Sequence, residues 1–296
     1  MSNAPKKPAK KKAPAKKKAP AKKKAPAKKK APAKKKAPAK KAPAKKSATK
    51  KPAAKKTTGW KSKAGVWLRR LRTGLLWWIF IGVTVPIIQV ALLNIIDPPL
   101  TLTMLSQAVD SRSETGTFRM PAHDWVDILE IPDHTISAAI SSEDAHFLDH
   151  SGFDWDAIED AWAERATGGT AGGSTISQQT AKNVFLWQSR SWLRKGMEIW
   201  YTFWLEKLVS KDRILEVYLN VAETGPMTFG VESGAQHWYE QPAANLTAEQ
   251  GTRLICLLPS PRKWTPESSN VKQRAARLVE YELVIPEGVR ARRNQR

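Results

Sequence analysis

The sequence predicts a mainly α-helical domain behind a single N-terminal transmembrane helix. Two observations support this fold class. Residues 75–96 form a run of 22 positions without a charged side chain. Beyond Pro99, apolar residues recur mostly at the three- and four-residue spacing of amphipathic helices, and few stretches alternate as a strand would.

Residues 1–72 are predicted to form a disordered, basic arm rich in Lys, Ala and Pro. Residues 1–96 hold 27 Lys and 3 Arg without an acid, whereas residues 97–296 hold 20 basic and 27 acidic residues, a net charge of about −7. Proline recurs every six residues and blocks a regular helix, while clustered lysines repel one another. Two interpretations stay open: contact with anionic lipid or nucleic acid, and a solubilising spacer with no specific partner.

Residues 73–96 are predicted to span the membrane, because about 20 apolar residues suffice to cross a bilayer. Arg69, Arg70 and Arg72 flank only the N-terminal side, so the arm is expected in the cytoplasm and residues 97–296 outside it. A cleaved signal peptide is the competing interpretation. The long preceding arm, the length of the apolar run and the lack of a clear cleavage site argue against it.

Residues 97–296 are long enough for one sizeable core, and the single Cys256 excludes an intramolecular disulfide. Residue 247 begins a capping-box pattern, Thr-x-x-Gln. The periodicity predicts helices at about 134–149, 154–166, 174–185, 190–209, 211–222, 247–258 and 269–284.

Glu143 is the first candidate catalytic residue. It shares a predicted helical stripe with apolar residues, Phe147 and His150, whereas Asp144 points away from that stripe. A carboxylate among apolar neighbours has a raised pKa and suits proton transfer near neutral pH. The competing interpretation is a buried glutamate satisfied by His150 or by a backbone donor. His146 and His150 have a spacing that a metal could use, but no third ligand accompanies them.

Glu198 is the second candidate. Its predicted helix is apolar nearly all round except for a narrow polar stripe that includes Arg194, Lys195 and Glu198. Ordinary surface pairing of the two cations with Glu198 is one explanation. A polar stripe on a helix so rich in tryptophan more often lines a cleft.

The segment GGSTISQQTAK at 172–182 predicts an anion site. If Ser174 caps a helix, two glutamines and Lys182 fall on one face, beside the backbone N–H groups of the helix N-terminus. Such a set suits a phosphate or diphosphate, although the spacing excludes a Walker A loop. The predicted members are Ser174, Gln178, Gln179, Lys182, Arg190 and Arg194.

Six ordered blocks then resemble a known family. They are EDAHFLDHSGFD (143–154), GGSTISQQTAKN (172–183), RKGME (194–198), KDRILEVYLN (211–220), FGVESGAQHWY (229–239) and LPSPRKWTP (258–266). In order and spacing they resemble the signature blocks of family 51 glycosyltransferases, the peptidoglycan glycosyltransferases. Length and anchor are most similar to the monofunctional biosynthetic members. The departures, Ser177 and Thr180, leave the candidate catalytic pair untouched, and the lysine arm is not a family feature.

The resemblance implies a lysozyme-like glycosyltransferase domain of the inner (plasma) membrane that faces the periplasm and polymerises lipid II. The growing chain on undecaprenyl diphosphate is the donor, and the GlcNAc 4-OH of lipid II is the acceptor. Glu143 matches the general base, and Glu198 matches a glutamate that assists diphosphate departure directly or through Mg²⁺ or Mn²⁺. Other cell-wall synthases are candidate partners. The substrate-binding set is then Asp144, Phe147, His150, Ser174, Gln178, Gln179, Lys182, Arg190, Arg194 and Lys195.

Rival functions fit less well. Two carboxylates across a sugar also serve hydrolysis, but a hydrolase has no diphosphate that needs these cations. A penicillin-binding transpeptidase is disfavoured by length, and Ser260-x-x-Lys263 is a chance match because no K-T-G motif follows. A membrane-anchored nucleic-acid tether would leave the ordered blocks unexplained.

Overall fold

Helices dominate the structure. The computed structural model describes residues 59–168, 172–189, 191–278 and 283–295. Its helices are α1 (Gly59–Leu92), α2 (Leu102–Thr115), α3 (Asp133–Glu143), α4 (Trp155–Ala166), α5 (Ile176–Phe185), α6 (Trp192–Leu208), α7 (Lys211–Val221), α8 (Val231–Tyr239), α9 (Ala248–Ile255), α10 (Ser269–Leu278) and α11 (Glu287–Arg293), with a 3-10 turn at Ala243–Asn245. The predicted mainly α-helical fold class is confirmed. The predicted arm as far as residue 58 and the candidate Arg190 lie outside the described residues.

Three short strands form one small sheet. They are β1 (Ala122–His123), β2 (Glu223–Gly225) and β3 (Thr228–Phe229), in the order β1–β3–β2. β1 runs parallel to β3, and β2 runs antiparallel to it. The sheet therefore joins the segment before α3 to the turn between α7 and α8.

α1 is the candidate membrane span. Its portion Gly65–Leu92 is long and apolar enough to cross a bilayer, and Trp77 and Trp78 are exposed on it. The helix begins before the predicted start at 73 and ends at Leu92, short of the predicted end at 96. The chain turns there because Arg213 binds it: Nε donates to the Leu93 carbonyl at 2.7 Å and a terminal nitrogen to Asp97 at 2.6 Å.

α5 lies at the centre of the domain. It packs against α6, α7 and α2, while α3 packs on α9. Ile176 and Ala181 of α5 are fully buried, as are Leu205 of α6 and Ile214 of α7. Each large apolar side chain buried in this way contributes about 1.5–3 kcal/mol. This packing fixes α5 rigidly between the helices that carry the other candidate residues.

α3 is shorter than predicted. It ends at Glu143, and Asp144 leaves the helical conformation with φ −164° and ψ 75°. Phe147 and His150 consequently lie in the following turns rather than on a continued stripe of α3. The single stripe predicted for 134–149 is therefore wrong beyond Glu143.

Candidate active site

The Asp144 carboxylate joins the end of α3 to the start of α5. Its Oδ2 accepts the N–H of Ile176 at 2.8 Å, and Nε2 of His150 lies 2.9 Å from Oδ1. Nδ1 of His150 accepts the N–H of Gly152 at 3.1 Å, so the imidazole is neutral and its Nε2–H donates to Asp144. The α5 N-terminus, predicted to receive a ligand anion, is thus occupied by a carboxylate of the protein itself.

Thr175, not Ser174, caps α5. Its Oγ1 accepts the N–H of Gln178 at 3.2 Å and donates to the Gly152 carbonyl at 2.8 Å. Gln178 returns the bond, because its Oε1 accepts the N–H of Thr175 at 3.2 Å. This capping box buries Gln178 and leaves Ser174 exposed in the preceding loop. The predictions that Ser174 caps the helix and that Gln178 faces the ligand are corrected accordingly.

Gly173 and Gly152 allow the chain to approach its neighbours closely. A Cβ at Gly173 would lie 3.1 Å from the Ala157 carbonyl of α4. Gly152 has φ +93°, and a Cβ there would lie 2.9 Å from Thr202 of α6. The two glycines therefore set the distance of the α5 entry loop from α4 and α6.

Glu143 sits in a largely enclosed position, with its side chain 12% exposed. Gln179 Nε2 donates to its Oε2 at 3.2 Å, and Arg274 lies 3.4 Å from its Oε1. Burial raises the pKa of the Glu143 carboxyl group, while the hydrogen bond from Gln179 and the charge of Arg274 partly oppose that rise. His150 bonds to a different carboxylate, so the alternative that it satisfies Glu143 is wrong.

Arg274 is a residue of this site that no sequence pattern marks. It lies on α10 and is one of several basic side chains along that helix. Its guanidinium also lies 3.5 Å from the Ser142 hydroxyl, and its Nε is buried without a partner among the described residues. Only the packing of α10 on α3 and α9 brings it to Glu143.

Glu198 is buried on α6, only 3% exposed, with both oxygens engaged. Arg194 donates to Oε2 at 2.6 Å, and Lys195 Nζ donates to Oε1. The Arg194 Nε also donates to the Ser189 carbonyl at 2.6 Å, which fixes the guanidinium. The predicted pairing of Arg194 and Lys195 with Glu198 is therefore present, but the carboxylate that the two cations bind is buried and does not lie on the surface.

Lys182 of α5 is buried, and the charges of both glutamates affect its amine. Burial lowers the pKa of its amine; the negative charge of Glu198, and more weakly that of Glu143, opposes this effect. The positive charges of Arg194 and Lys195 lower the pKa further. The hydrogen bond from Gln179 joins α5 to Glu143 of α3, and Lys182 of the same helix also feels the charge of Glu198 on α6.

A cavity of about 430 Å³ opens beside this amine. Gln179 and Lys182 of α5 line it together with Tyr218 of α7. Arg262 and Lys263, both exposed, add positive charge from the loop after α9. Pockets of this size with a few convergent polar groups are typical of small-ligand sites.

Phe147 does not line this cavity. Its ring is fully buried in the core, and the Lys211 amine lies 4.4 Å from the ring centroid. Phe147 was predicted to contact the substrate; the structure instead places its ring in the hydrophobic core.

A divalent cation does not fit the donor set around Glu198. Both carboxylate oxygens are already engaged by the cations of Arg194 and Lys195. Within the part of the chain that the structure describes, no three His, Cys, Asp or Glu side chains converge as metal ligands would. The positive charge that the structure shows around Glu198 comes from the side chains of Arg194 and Lys195.

Comparison with known proteins identifies the family of this chain. The family model described as Transglycosylase matches residues 111–283, a range that contains each site residue described above. The biosynthetic peptidoglycan transglycosylase of Pseudomonas aeruginosa is 44% identical over 211 residues, which cover 70% of this chain and 89% of that relative. The protein of the same name from Xanthomonas euvesicatoria pv. vesicatoria is 41% identical over 69% of this chain and 84% of that relative. The one from Aeromonas hydrophila subsp. hydrophila is 41% identical over 70% of this chain and 88% of that relative. The chain therefore belongs to the transglycosylase family, and its activity is that of a peptidoglycan glycosyltransferase.

Proposed function

We propose that this protein polymerises lipid II by transferring the growing glycan from undecaprenyl diphosphate to the GlcNAc 4-OH of lipid II, with inversion to a β-1,4 bond and without transpeptidation. One observation carries the proposal: Lys182 lines the cavity and lies in the field of both Glu143 and Glu198. A base and a cation site are needed together for this transfer, and a hydrolase would have no use for the cations.

Glu143 acts as the general base in this proposal. Its carboxylate takes the proton of the acceptor 4-OH as that oxygen attacks C1 of the donor MurNAc. Burial raises the pKa of the Glu143 carboxyl group, so its carboxylate is a stronger base than that of an exposed glutamate, while Gln179 and Arg274 partly oppose the rise. The proton ends on Glu143, and the new bond forms on the face of C1 opposite the diphosphate.

Lys182 and Arg194 receive the leaving group. The bond from C1 to the diphosphate oxygen breaks, and its electron pair leaves as negative charge on undecaprenyl diphosphate. Fixed cations in an enclosed site stabilise charge that develops in the transition state more effectively than water does. Glu198 holds Arg194 and Lys195 in place through its two oxygens, and no step passes through a divalent cation.

The direct test is incubation of the purified full-length protein with labelled lipid II in detergent. We expect a polymer that lysozyme cuts to short fragments, with release of undecaprenyl diphosphate. Direct release of labelled free disaccharide would identify a hydrolase instead. Unchanged lipid II would refute the proposal.

We predict that Arg274→Gln shifts the pH dependence. Loss of the positive charge at 3.4 Å removes one influence that lowers the pKa of Glu143. A general base works only when ionised, so the acidic limb of the kcat/KM profile should move to higher pH. Arg277→Gln, an exposed change on the same helix, is the control. An unshifted limb in Arg274→Gln would contradict electrostatic coupling of these two side chains.

We predict that the catalytic domain lies outside the cytoplasm, because the arginines at 69–72 lie only before the candidate span. A reporter fused after Arg296 that works only outside the cytoplasm should be active. The same reporter placed before residue 59 should be silent. Activity in the reverse pattern would contradict both the orientation and access to an external substrate.

We predict that deleting residues 1–58 leaves polymerisation in detergent unchanged, since no site residue lies there. Binding to anionic vesicles should weaken, and the difference from the full chain should vanish at high salt because exposed charges are screened. A deletion variant that cannot turn over lipid II would show that the arm contributes to the reaction.

A further inference from the structure

Tyr218 carries a buried hydroxyl group that forms no hydrogen bond with the described residues. The side chain, on α7, is 0% exposed, and its oxygen has no hydrogen-bond partner among the described residues. The other two described tyrosines are paired: Tyr201 donates to Gln89 at 2.6 Å and Tyr239 to the Gln250 carbonyl at 3.2 Å. Burying a hydroxyl without a partner destabilises a protein, and phenylalanine would fill the same space without that cost.

Tyr218 lies beside the cavity of the candidate site. Tyr218 lines the 430 Å³ cavity together with Gln179 and Lys182. Gln179 in turn donates to Glu143, so the tyrosine belongs to the same group of side chains as the proposed base. α7 packs directly on α5, which fixes the ring against the helix that carries Lys182.

The charges near the hydroxyl indicate which kind of atom it binds. Burial raises the pKa of Tyr218 well above its usual value, and the negative charges of Glu143 and Asp144 raise it further. The hydroxyl therefore stays protonated and acts as a hydrogen-bond donor, not as a base. Because two carboxylates act on it, a neutral sugar oxygen suits this position better than a phosphate, which the amine of Lys182 attracts.

We propose that the Tyr218 hydroxyl is a substrate-binding group that donates a hydrogen bond to a neutral sugar oxygen of the glycan in the cavity beside Glu143. This inference rests on the proposed polymerisation of lipid II and adds a contact that selects and orients the sugar. Among the described residues the hydroxyl makes no hydrogen bond that the substrate would have to replace.

Tyr218→Phe in the full-length protein tests the proposal, with Tyr239→Phe as the matched control. The same atom is removed in both, but from an unpaired hydroxyl in one and a paired hydroxyl in the other. We expect Tyr218→Phe to keep or raise Tm and to lower kcat/KM for lipid II about tenfold, the loss equivalent to one hydrogen bond. Tyr239→Phe should lower Tm and keep kcat/KM.

Affinity for undecaprenyl diphosphate, measured on the same variants, separates a sugar contact from a phosphate contact. It should be unchanged in Tyr218→Phe; a loss equal to that in kcat/KM would overturn the assignment to a neutral sugar oxygen. A Tyr218→Phe protein with wild-type kcat/KM, or with lowered Tm as its only change, would overturn the proposal. If the wild-type protein forms no polymer, the proposed function itself fails. If the wild-type protein is active and Tyr218→Phe is equally active, only the role of Tyr218 is overturned.

Discussion

The Glu143→Gln variant is expected to polymerise lipid II about 10²–10⁴ times more slowly than the wild-type protein. Glutamine keeps the shape of the side chain and its hydrogen bond with Gln179, but it cannot take a proton from the acceptor 4-OH. The proposed donor-site residues Lys182 and Arg194 are unchanged in this variant, so affinity for undecaprenyl diphosphate should persist. Single-turnover rates and equilibrium binding on the same preparation are the measurement.

Thermal stability separates this loss from misfolding. The pKa of Glu143 is raised in the folded protein, so the folded state binds its proton more readily than the unfolded chain does. This group therefore makes stability fall as pH rises from its ordinary pKa through its folded pKa. Glutamine carries no charge at any pH, and Tm near neutral pH should be unchanged or higher in Glu143→Gln.

Asp144→Asn, the same kind of change at the adjacent carboxylate, is the comparison for Glu143→Gln. Asp144 accepts from Ile176 and from His150, and an amide in its place loses the charge that favours the N-terminus of α5. We expect a lower Tm and a smaller loss of rate than in Glu143→Gln. A near-normal rate in Glu143→Gln would exclude Glu143 as the base and move that role to Asp144 or Glu198.

Helices α6 and α9 could be predicted because each combines local periodicity with a local cap. Ser191 caps α6 by accepting the N–H of Arg194 at 3.2 Å, and Thr247 closes the predicted capping box of α9 with Gln250. These are bonds between residues three apart, which a sequence displays directly. The sequence also predicted the apolar face of α5 and the polar residues that the helix carries.

The start of α5 shows where local reasoning fails. Ser174 and Thr175 are adjacent and both are good caps, so composition alone does not choose between them. The choice depends on Gly152 and Asp144, which come from an earlier turn and bind Thr175 and Ile176. Long-range partners of this kind decide which residue begins the helix and which face it presents.

Three helices of the described residues, α2, α8 and α11, were missed, although α2 begins with a side-chain cap from Thr101. α8 follows Gly230, which has φ +85° and no side chain to cap the helix. α11 follows Pro286 and likewise lacks a side-chain cap, and Arg293 fixes it to the carbonyls of Ile128 and Ile131. Arg274 was missed for the same reason, since its partner Glu143 is distant in sequence. Tertiary packing, not propensity, defines these elements.

Lys182→Met is expected to weaken binding of undecaprenyl diphosphate about 10- to 100-fold, because a hydrogen bond to a charged group contributes roughly 1.5–3 kcal/mol. Methionine keeps the unbranched apolar stem but removes the amine that lines the cavity. The rate should fall beyond the loss of affinity, since in the proposed mechanism the amine also stabilises charge on the departing diphosphate.

Lys272→Met is the control, because Lys272 is an exposed lysine paired with Glu267 at 2.6 Å on the surface. Loss of the Lys182 charge also removes one influence that lowers the pKa of Glu143, so the acidic limb of kcat/KM should shift to higher pH in Lys182→Met alone. Isothermal titration with undecaprenyl diphosphate and pH-dependent polymerisation rates measure the two effects separately. Wild-type affinity with a reduced rate would mean that Lys182 stabilises only the transition state. Wild-type affinity together with a wild-type rate would show that Lys182 does not belong to the donor site.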